Sequence, residues 1–325
     1  MNIVYASNDN YARHLGVSMC SLFDNNTRER DIQVYILDAG LTEESRKKLD
    51  VIGRRYGRKL HYVDMTDLKE RIPFPVDTGR FDISTLSRLF IGEILPADVK
   101  RALYLDCDTV VIRRLKNMWE IDLDGNIAGA VQEPTIYPEV KEDIGLKKAD
   151  PYYNAGVLLI DLEKWRAEDT GRRLMEYYES RGGKLFANDQ DAINHVLKGR
   201  IRSIMPIYNF FPNYRYFHYK DLVNRSEAYA QISKSELHRA KHHPVIIHYM
   251  GDERPWKAGN LNHYRRAYEI YLEKTPWKEA AKEKGQELYM LAYHAMDYAT
   301  FLCPPVRRMI SRKYLENSKK NGKGV

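Results

Sequence analysis

The apolar positions near the start of the chain fall into short runs separated by polar clusters. Residues 2–6 read as a strand that runs into Ser7-Asn8-Asp9-Asn10, after which Leu15, Val17, Met19, Leu22 and Phe23 predict a helix. Apolar runs at 32–37 and 60–63 predict two further strands, with Thr42 before Glu43-Glu44 as the cap of a helix between them. Strand–helix units repeated from the first residues predict an α/β fold with a parallel sheet and helices on both faces.

Residues 84–95 predict a helix along Leu86, Leu89, Phe90 and Ile94, ended by Pro96. A strand over 101–105 then terminates in Asp106-Cys107-Asp108, and another over 127–131 ends at Gln132-Glu133. Residues 133–152, rich in proline, glycine and charge, read as an irregular excursion. A strand over 156–161 and helices over 165–178 and 189–197 follow, then an aromatic, proline-broken stretch over 204–212 and a last strand over 245–249. Beyond residue 260 the pattern turns helical: Leu261, Tyr264, Tyr268 and Tyr271 share one helix face, and a second helix covers 277–302. The expected organisation is a catalytic unit over 1–260 and a helical C-terminal region over 261–325.

The formal net charge of +7 changes this picture only at one end. Between residues 307 and 325, seven lysines or arginines (Arg307, Arg308, Arg312, Lys313, Lys319, Lys320, Lys323) stand against Glu316 alone, so the remainder is nearly neutral. That distribution speaks against a nucleic-acid partner. Preceded by Phe301-Leu302-Cys303-Pro304-Pro305-Val306, the tail suits an anionic membrane surface, with a solvated tail or a subunit contact as the alternatives. The hydrophobic fraction of 43%, with no long apolar run and no charged-then-apolar leader, predicts a soluble, cytoplasm-facing protein, peripheral at the inner face of the membrane if the tail binds there. Cys20, Cys107 and Cys303 suggest neither a disulfide scaffold nor a thiolate cluster.

Asp106 and Asp108 would face the same side of an extended strand. Carboxylates so close repel unless a cation or protons intervene, so a divalent metal is one reading and a solvated strand-end turn the other. His248, near the end of another strand, would complete an oxygen and nitrogen sphere and tilt magnesium towards manganese; alternatively it is satisfied by a backbone carbonyl. Gly251 and Arg254 would approach and neutralise a diphosphate, although Gly-Asp-Glu is also an ordinary turn. Asn154, Asp189 and Gln190 offer the donors and acceptors that sugar hydroxyls need, while Asn188-Asp189 would equally cap a helix. Arg88 would pair with a carboxylate, sugar or phosphate, or be solvated on a surface helix. Tyr208, Phe210, Phe211, Tyr214, Tyr216 and Trp256 form either an acceptor platform or core.

The blocks Ala6-Ser7-Asn8-Asp9-Asn10-Tyr11, Ser87-Arg88-Leu89, Leu105-Asp106-Cys107-Asp108, Tyr153 to Asp161, Asn188-Asp189-Gln190-Asp191 and His248 to Trp256 follow in an order that resembles the retaining glycosyltransferases of family 8. That group includes bacterial lipopolysaccharide galactosyl- and glucosyltransferases and glycogenin. The resemblance implies a GT-A-like fold with a mixed, mostly parallel sheet flanked by helices and a helical C-terminal appendage, a UDP-sugar donor (UDP-glucose or UDP-galactose), a glycan, glycolipid or glycoprotein acceptor, Mn²⁺ as the usual metal with Mg²⁺ as the alternative, and retention at the anomeric carbon. It implies Asp106, Asp108 and His248 as metal ligands and Ala6, Asn8 and Asn10 as uracil or ribose contacts. Gly251 and Arg254 match the diphosphate loop, where lysine is more usual than Arg254; Arg88, Asn154, Asp189 and Gln190 match donor-sugar positions. Asn8 stands where aspartate is frequent, and Glu133 where relatives carry a shorter aspartate. Gln190 supporting a front-face substitution and Asp189 as a nucleophile in a double displacement both stay open. The other functions open to these residues are a nucleotidyltransferase or sugar-nucleotide hydrolase, and a noncatalytic nucleotide-sugar-binding component of a glycan assembly complex.

Overall fold

The computed structural model describes residues 1–79, 81–307, 309, 310 and 313. Nine strands run through these residues: β1 (Asn2–Ser7), β2 (Gln33–Asp38), β3 (Leu60–Asp64), β4 (Arg101–Leu105), β5 (Thr109–Val111), β6 (Ala128–Gln132), β7 (Tyr153–Asp161), β8 (Ile201–Ser203) and β9 (Ile246–His248). Seven form a sheet in the order β3-β2-β1-β4-β7-β6-β8, and β5 pairs with β9 in a second, two-stranded sheet. Every pairing in the large sheet is parallel except those that β7 makes with β4 and β6. The sheet is therefore mixed and mostly parallel, as expected, with β7 running opposite to its neighbours.

Alternation along the strands divides the interior in two. Ile3, Tyr5, Val34, Ile36, Leu103, Leu105, Val157 and Leu159 join one apolar cluster with the helices α1 (Ala12–Asn25) and α2 (Glu43–Arg55). Val4, Tyr35, Leu37, Ala102, Tyr104, Leu158 and Ile160 face the other cluster, with Trp165, Leu174, Tyr178 and Ile193. Each fully buried aliphatic side chain contributes about 1.5–3 kcal/mol, so the period-two pattern fixes which face each strand presents. Thr42 caps α2 as expected, accepting from the Ser45 amide.

Several predicted helices differ in kind or length. Over 84–95 the chain forms a 3₁₀ stretch, Ile83–Phe90, before a single α turn, Ile91–Ile94. The helix predicted over 165–178 is two, Leu162–Ala167 and Thr170–Ser180, divided at Asp169, whose φ of 48° is a left-handed conformation that aspartate tolerates. The 133–152 excursion contains a short helix, Pro138–Asp143.

C-terminally, the helix Arg265–Leu272 begins after Leu261 and Tyr264, so of the four predicted face residues only Tyr268 and Tyr271 lie within it, buried against α1. The second predicted C-terminal helix is Glu287–Leu302 rather than 277–302, because Glu283 is drawn aside to exchange backbone hydrogen bonds with Trp256 and Ala258. No helix among the described residues is long and apolar enough to cross a membrane. Most of the basic tail (Arg308, Ser311, Arg312, and Tyr314 onward) lies outside the described residues.

Candidate active site

β4 stops at Leu105, so Asp106 and Asp108 do not share an extended strand; they converge through a tight turn in which the Thr109 amide and hydroxyl both donate to the Asp106 carbonyl, at 3.2 and 2.8 Å. The chain leaves this turn as β5, whose antiparallel register with β9 sets Thr109 opposite His248. Imidazole Nε2 consequently lies 3.1 Å from Asp108 Oδ1 and 3.7 Å from Asp106 Oδ2. One ligand atom from each of the three residues falls within 4.8 Å of the others.

Space has been made for this meeting. A β-carbon on Gly156 of β7 would lie 2.3 Å from His248 Cε1 and 2.6 Å from Asp106 Oδ2, so close approach, not backbone conformation, demands glycine here. The donor set of two carboxylates and one imidazole suits a divalent cation. Burial opposes ionisation of Asp108, but His248 and Arg254 outweigh it and hold the carboxyl down to about 2. Burial likewise disfavours the imidazolium of His248, yet Asp108 and Asp106 hold its pKa above the ordinary value.

Arg88 is buried rather than solvated. Its guanidinium donates to the Ala155 carbonyl at 2.7 Å, lies 3.1 Å from Asp106 and 2.8 Å from Asp189 Oδ2, and covers the Tyr104 ring. The contact with Asp189 is a close ion pair without hydrogen-bond alignment. Burial lifts Asp189 to about 6 despite Arg88. Asn188 occupies the N-cap position of the Asp189–Val196 helix, but its side chain does not cap it: Oδ1 accepts from Tyr178 Oη at 2.6 Å. Its backbone, φ 55° and ψ −131°, lies in a region usually left to glycine.

Beside the carboxylates runs a chain of amides. Asn154 Nδ2 donates to Gln190 Oε1 at 3.1 Å and to Glu133 Oε2 at 3.0 Å. Gln190 Nε2 donates to Glu133 and to Tyr152 Oη, both at 3.1 Å, and Gln190 Oε1 accepts from the Ala155 amide at 3.0 Å. Burial raises the Glu133 pKa although both amides donate to it.

The remaining predicted residues lie on β1, in the 3₁₀ turn after it and in the loop after β9. Ala6 lies one residue before the end of β1 and its carbonyl accepts from Cys107 Sγ at 3.1 Å; Asn8 accepts from the Tyr11 amide and donates to Asp82 at 2.7 Å; Asn10 is exposed. Gly251 takes φ +64° in open space, and Arg254 is close enough to bear on both Asp108 and Tyr11. Glu253 between them is buried, and its Oε2 and carbonyl accept from Asn262 Nδ2 at 2.7 and 2.9 Å. Tyr208, Phe210, Phe211, Tyr214, Tyr216 and Trp256 are all buried, so they are core and not an open platform. Gly156, Asn209, Tyr104 and Asn262 went unmarked in the sequence; for Gly156 a glycine inside a strand pattern was the available signal.

The family described as glycosyl transferase family 8 matches residues 2–259. General stress protein A of Bacillus subtilis (strain 168) is 26% identical over 281 residues, covering 85% of this chain and 94% of its own. The lipopolysaccharide 1,2-glucosyltransferase of Escherichia coli (strain K12) is 25% identical over 301 residues, covering 89% and 82%. Among solved structures, galactosyltransferase LgtC in complex with donor and acceptor sugar analogues matches with a TM-score of 0.70 at 28% identity, over 85% of this chain and 96% of that one.

Proposed function

The chain belongs to glycosyl transferase family 8, with a GT-A-like fold and a metal-dependent glycosyltransferase activity, and from that premise we propose that it transfers glucose or galactose from a UDP-sugar to a glycan, glycolipid or glycoprotein acceptor with retention of anomeric configuration. The observation that carries this reading is the meeting of Asp106, Asp108 and His248 beside the buried Arg88–Asp189 pair and the Asn154–Gln190 amides. Asp106, Asp108 and His248 would hold the cation, Mn²⁺ before Mg²⁺, which when bound supplies positive charge against the departing diphosphate.

The chain's own groups do the rest. Gly251 and Arg254 meet the diphosphate, and Arg254 stabilises charge that grows on the leaving oxygen, a role worth about 3 kcal/mol for a well-placed donor. Ala6, Asn8 and Asn10 hold the nucleoside. Asn154, Asp189, Gln190 and Arg88 orient the donor hexose. The hold of Arg88 on Asp189 at 2.8 Å favours a front-face substitution supported by Gln190 over attack by Asp189. The catalytic unit spans residues 1–260. The helical region after it offers Leu288, Leu291, Tyr298 and Leu302 as an exposed apolar stripe for the cytoplasmic face of an anionic membrane.

The test is a Mn²⁺-containing screen of UDP-glucose, UDP-galactose and their N-acetyl forms against oligosaccharide and lipid-linked acceptors, with the product anomer assigned by NMR. An inverted product rejects the retaining reading, and no transfer across the set favours a noncatalytic binding component.

A further inference from the structure

Backbone amides settle the orientation of every side-chain amide beside the cation site. A backbone N–H can only donate, so the Gly156 amide, 2.9 Å from Asn154 Oδ1, fixes that atom as the oxygen. The neighbouring Asn209 atom, also 2.9 Å from Asn154 Oδ1, must then be its NH₂, which turns Asn209 Oδ1 towards His248 Nδ1 at 3.0 Å. Imidazole Nδ1 therefore carries the proton, and the Nε2 lone pair is left for the site between Asp106 and Asp108. The same reasoning runs the other way. The Ala155 amide fixes Gln190 Oε1, so Gln190 Nε2 points to Glu133 and Tyr152.

We propose that Asn209, which is fully buried and lies outside the sequence blocks quoted above for the family resemblance, is a positioning residue with two outputs: it selects the His248 tautomer that can bind a cation, and by donating to Asn154 Oδ1 it braces, alongside the Gly156 amide, the side chain that donates to Gln190. It links segments remote in sequence, the turn after the 3₁₀ helix Pro206–Tyr208, β9 and β7, and its side chain is the only bond from the histidine to the amide chain among the described residues. The inference rests on Asp106, Asp108 and His248 being the cation ligands.

Mn²⁺ titration of the full chain, reading free Mn²⁺ by electron paramagnetic resonance, tests the first output without recourse to activity. Asn209→Leu removes the acceptor from Nδ1–H and should weaken Mn²⁺ binding by about 10–100-fold, the usual effect of losing such a partner. Asn209→Asp keeps an oxygen opposite Nδ1–H, although without the NH₂ that donates to Asn154 Oδ1, and should lose less Mn²⁺ affinity than Asn209→Leu. If Asn209→Leu does not fold, as judged by circular dichroism, Asn209→Ser takes its place. Equal Mn²⁺ affinity in all variants overturns the proposal, as does equal weakening in Leu and Asp variants, which would mean simple disturbance of the core. For the second output, at saturating Mn²⁺ the loss in kcat from Asn209→Leu should shrink in a Gln190→Ala background; undiminished loss overturns the link to Gln190. An unsubstituted chain that binds no Mn²⁺ removes the ligand assignment itself, and this inference with it.

Discussion

Thr109 faces His248 across the antiparallel β5–β9 pair, and this register places the imidazole beside two carboxylates far away in sequence. Two three-residue strands thus fix one candidate ligand against the others by backbone pairing, as the large sheet fixes its own strands.

Gly156→Ala should damage the site by volume alone. The added carbon meets His248 and Asp106 well inside van der Waals contact, and overpacking of this kind costs about 1–3 kcal/mol. We expect a thermal midpoint lowered by several degrees and a larger fractional loss in Mn²⁺ affinity, read by calorimetric titration. Unaltered Mn²⁺ binding would show that the close approach has no bearing on the site.

Arg88→Met should be worse than any exposed charge substitution. Removing the guanidinium leaves Asp189 and Asp106 without their buried partner, a loss of about 3–5 kcal/mol for a broken buried pair. Arg88→Lys should recover stability in part but not transfer, because one ammonium cannot span Asp106, Asp189 and the Ala155 carbonyl together. Urea denaturation and initial rates separate the two effects.

Glu253 makes stability fall with rising pH. Burial, assisted by Asp297 and opposed by Arg307, lifts its pKa from 4.5 to about 8. The folded chain keeps this proton where the unfolded chain has lost it, so Glu253 supports the fold below pH 4.5 and that support is withdrawn up to about pH 8, by at most about 1.4 kcal/mol per pH unit. Glu253→Gln, which can still accept from Asn262, should raise the melting temperature more at pH 8 than at pH 5. A gain of equal size at both would place the benefit elsewhere.

The membrane reading rests on the basic tail beyond the Glu287–Leu302 helix and has a direct check. Flotation with vesicles containing anionic lipid should carry the full chain, and a chain ending at Leu302, which keeps the exposed stripe, should float less. Equal flotation of both would defeat the tail's part in membrane binding.

Much of this architecture could be read from residue patterns, for reasons that also explain what could not. β1, β2 and β4 announce themselves because continuous apolar runs bounded by polar clusters bury both faces, whereas β3 is a half-buried edge strand. β5 and β8 are three residues each, too short for any period to show. The direction of β7 was invisible because alternation reads the same forwards and backwards. The Ser233 and Glu236 capping box of the Lys234–His242 helix was a local signal that went unused. At the site, Asp106, Asp108 and His248 were legible as chemistry but not as geometry: their separation depends on a turn and on the β5–β9 register, neither carried by the spacing of the aspartates. Asn209 had no local signal at all, since its partners Asn154 and His248 are 55 and 39 positions away.

Asn188 has a consequence for the energetics of recognition. A residue held in that glycine-like conformation, φ 55° and ψ −131°, stores about 1–3 kcal/mol of strain, and folding has already met it before any sugar arrives. The aim of Asp189 and Gln190, the next two residues along the chain, is therefore set in advance, so that under the proposed function an incoming donor would find its hydroxyl partners waiting instead of having to marshal them.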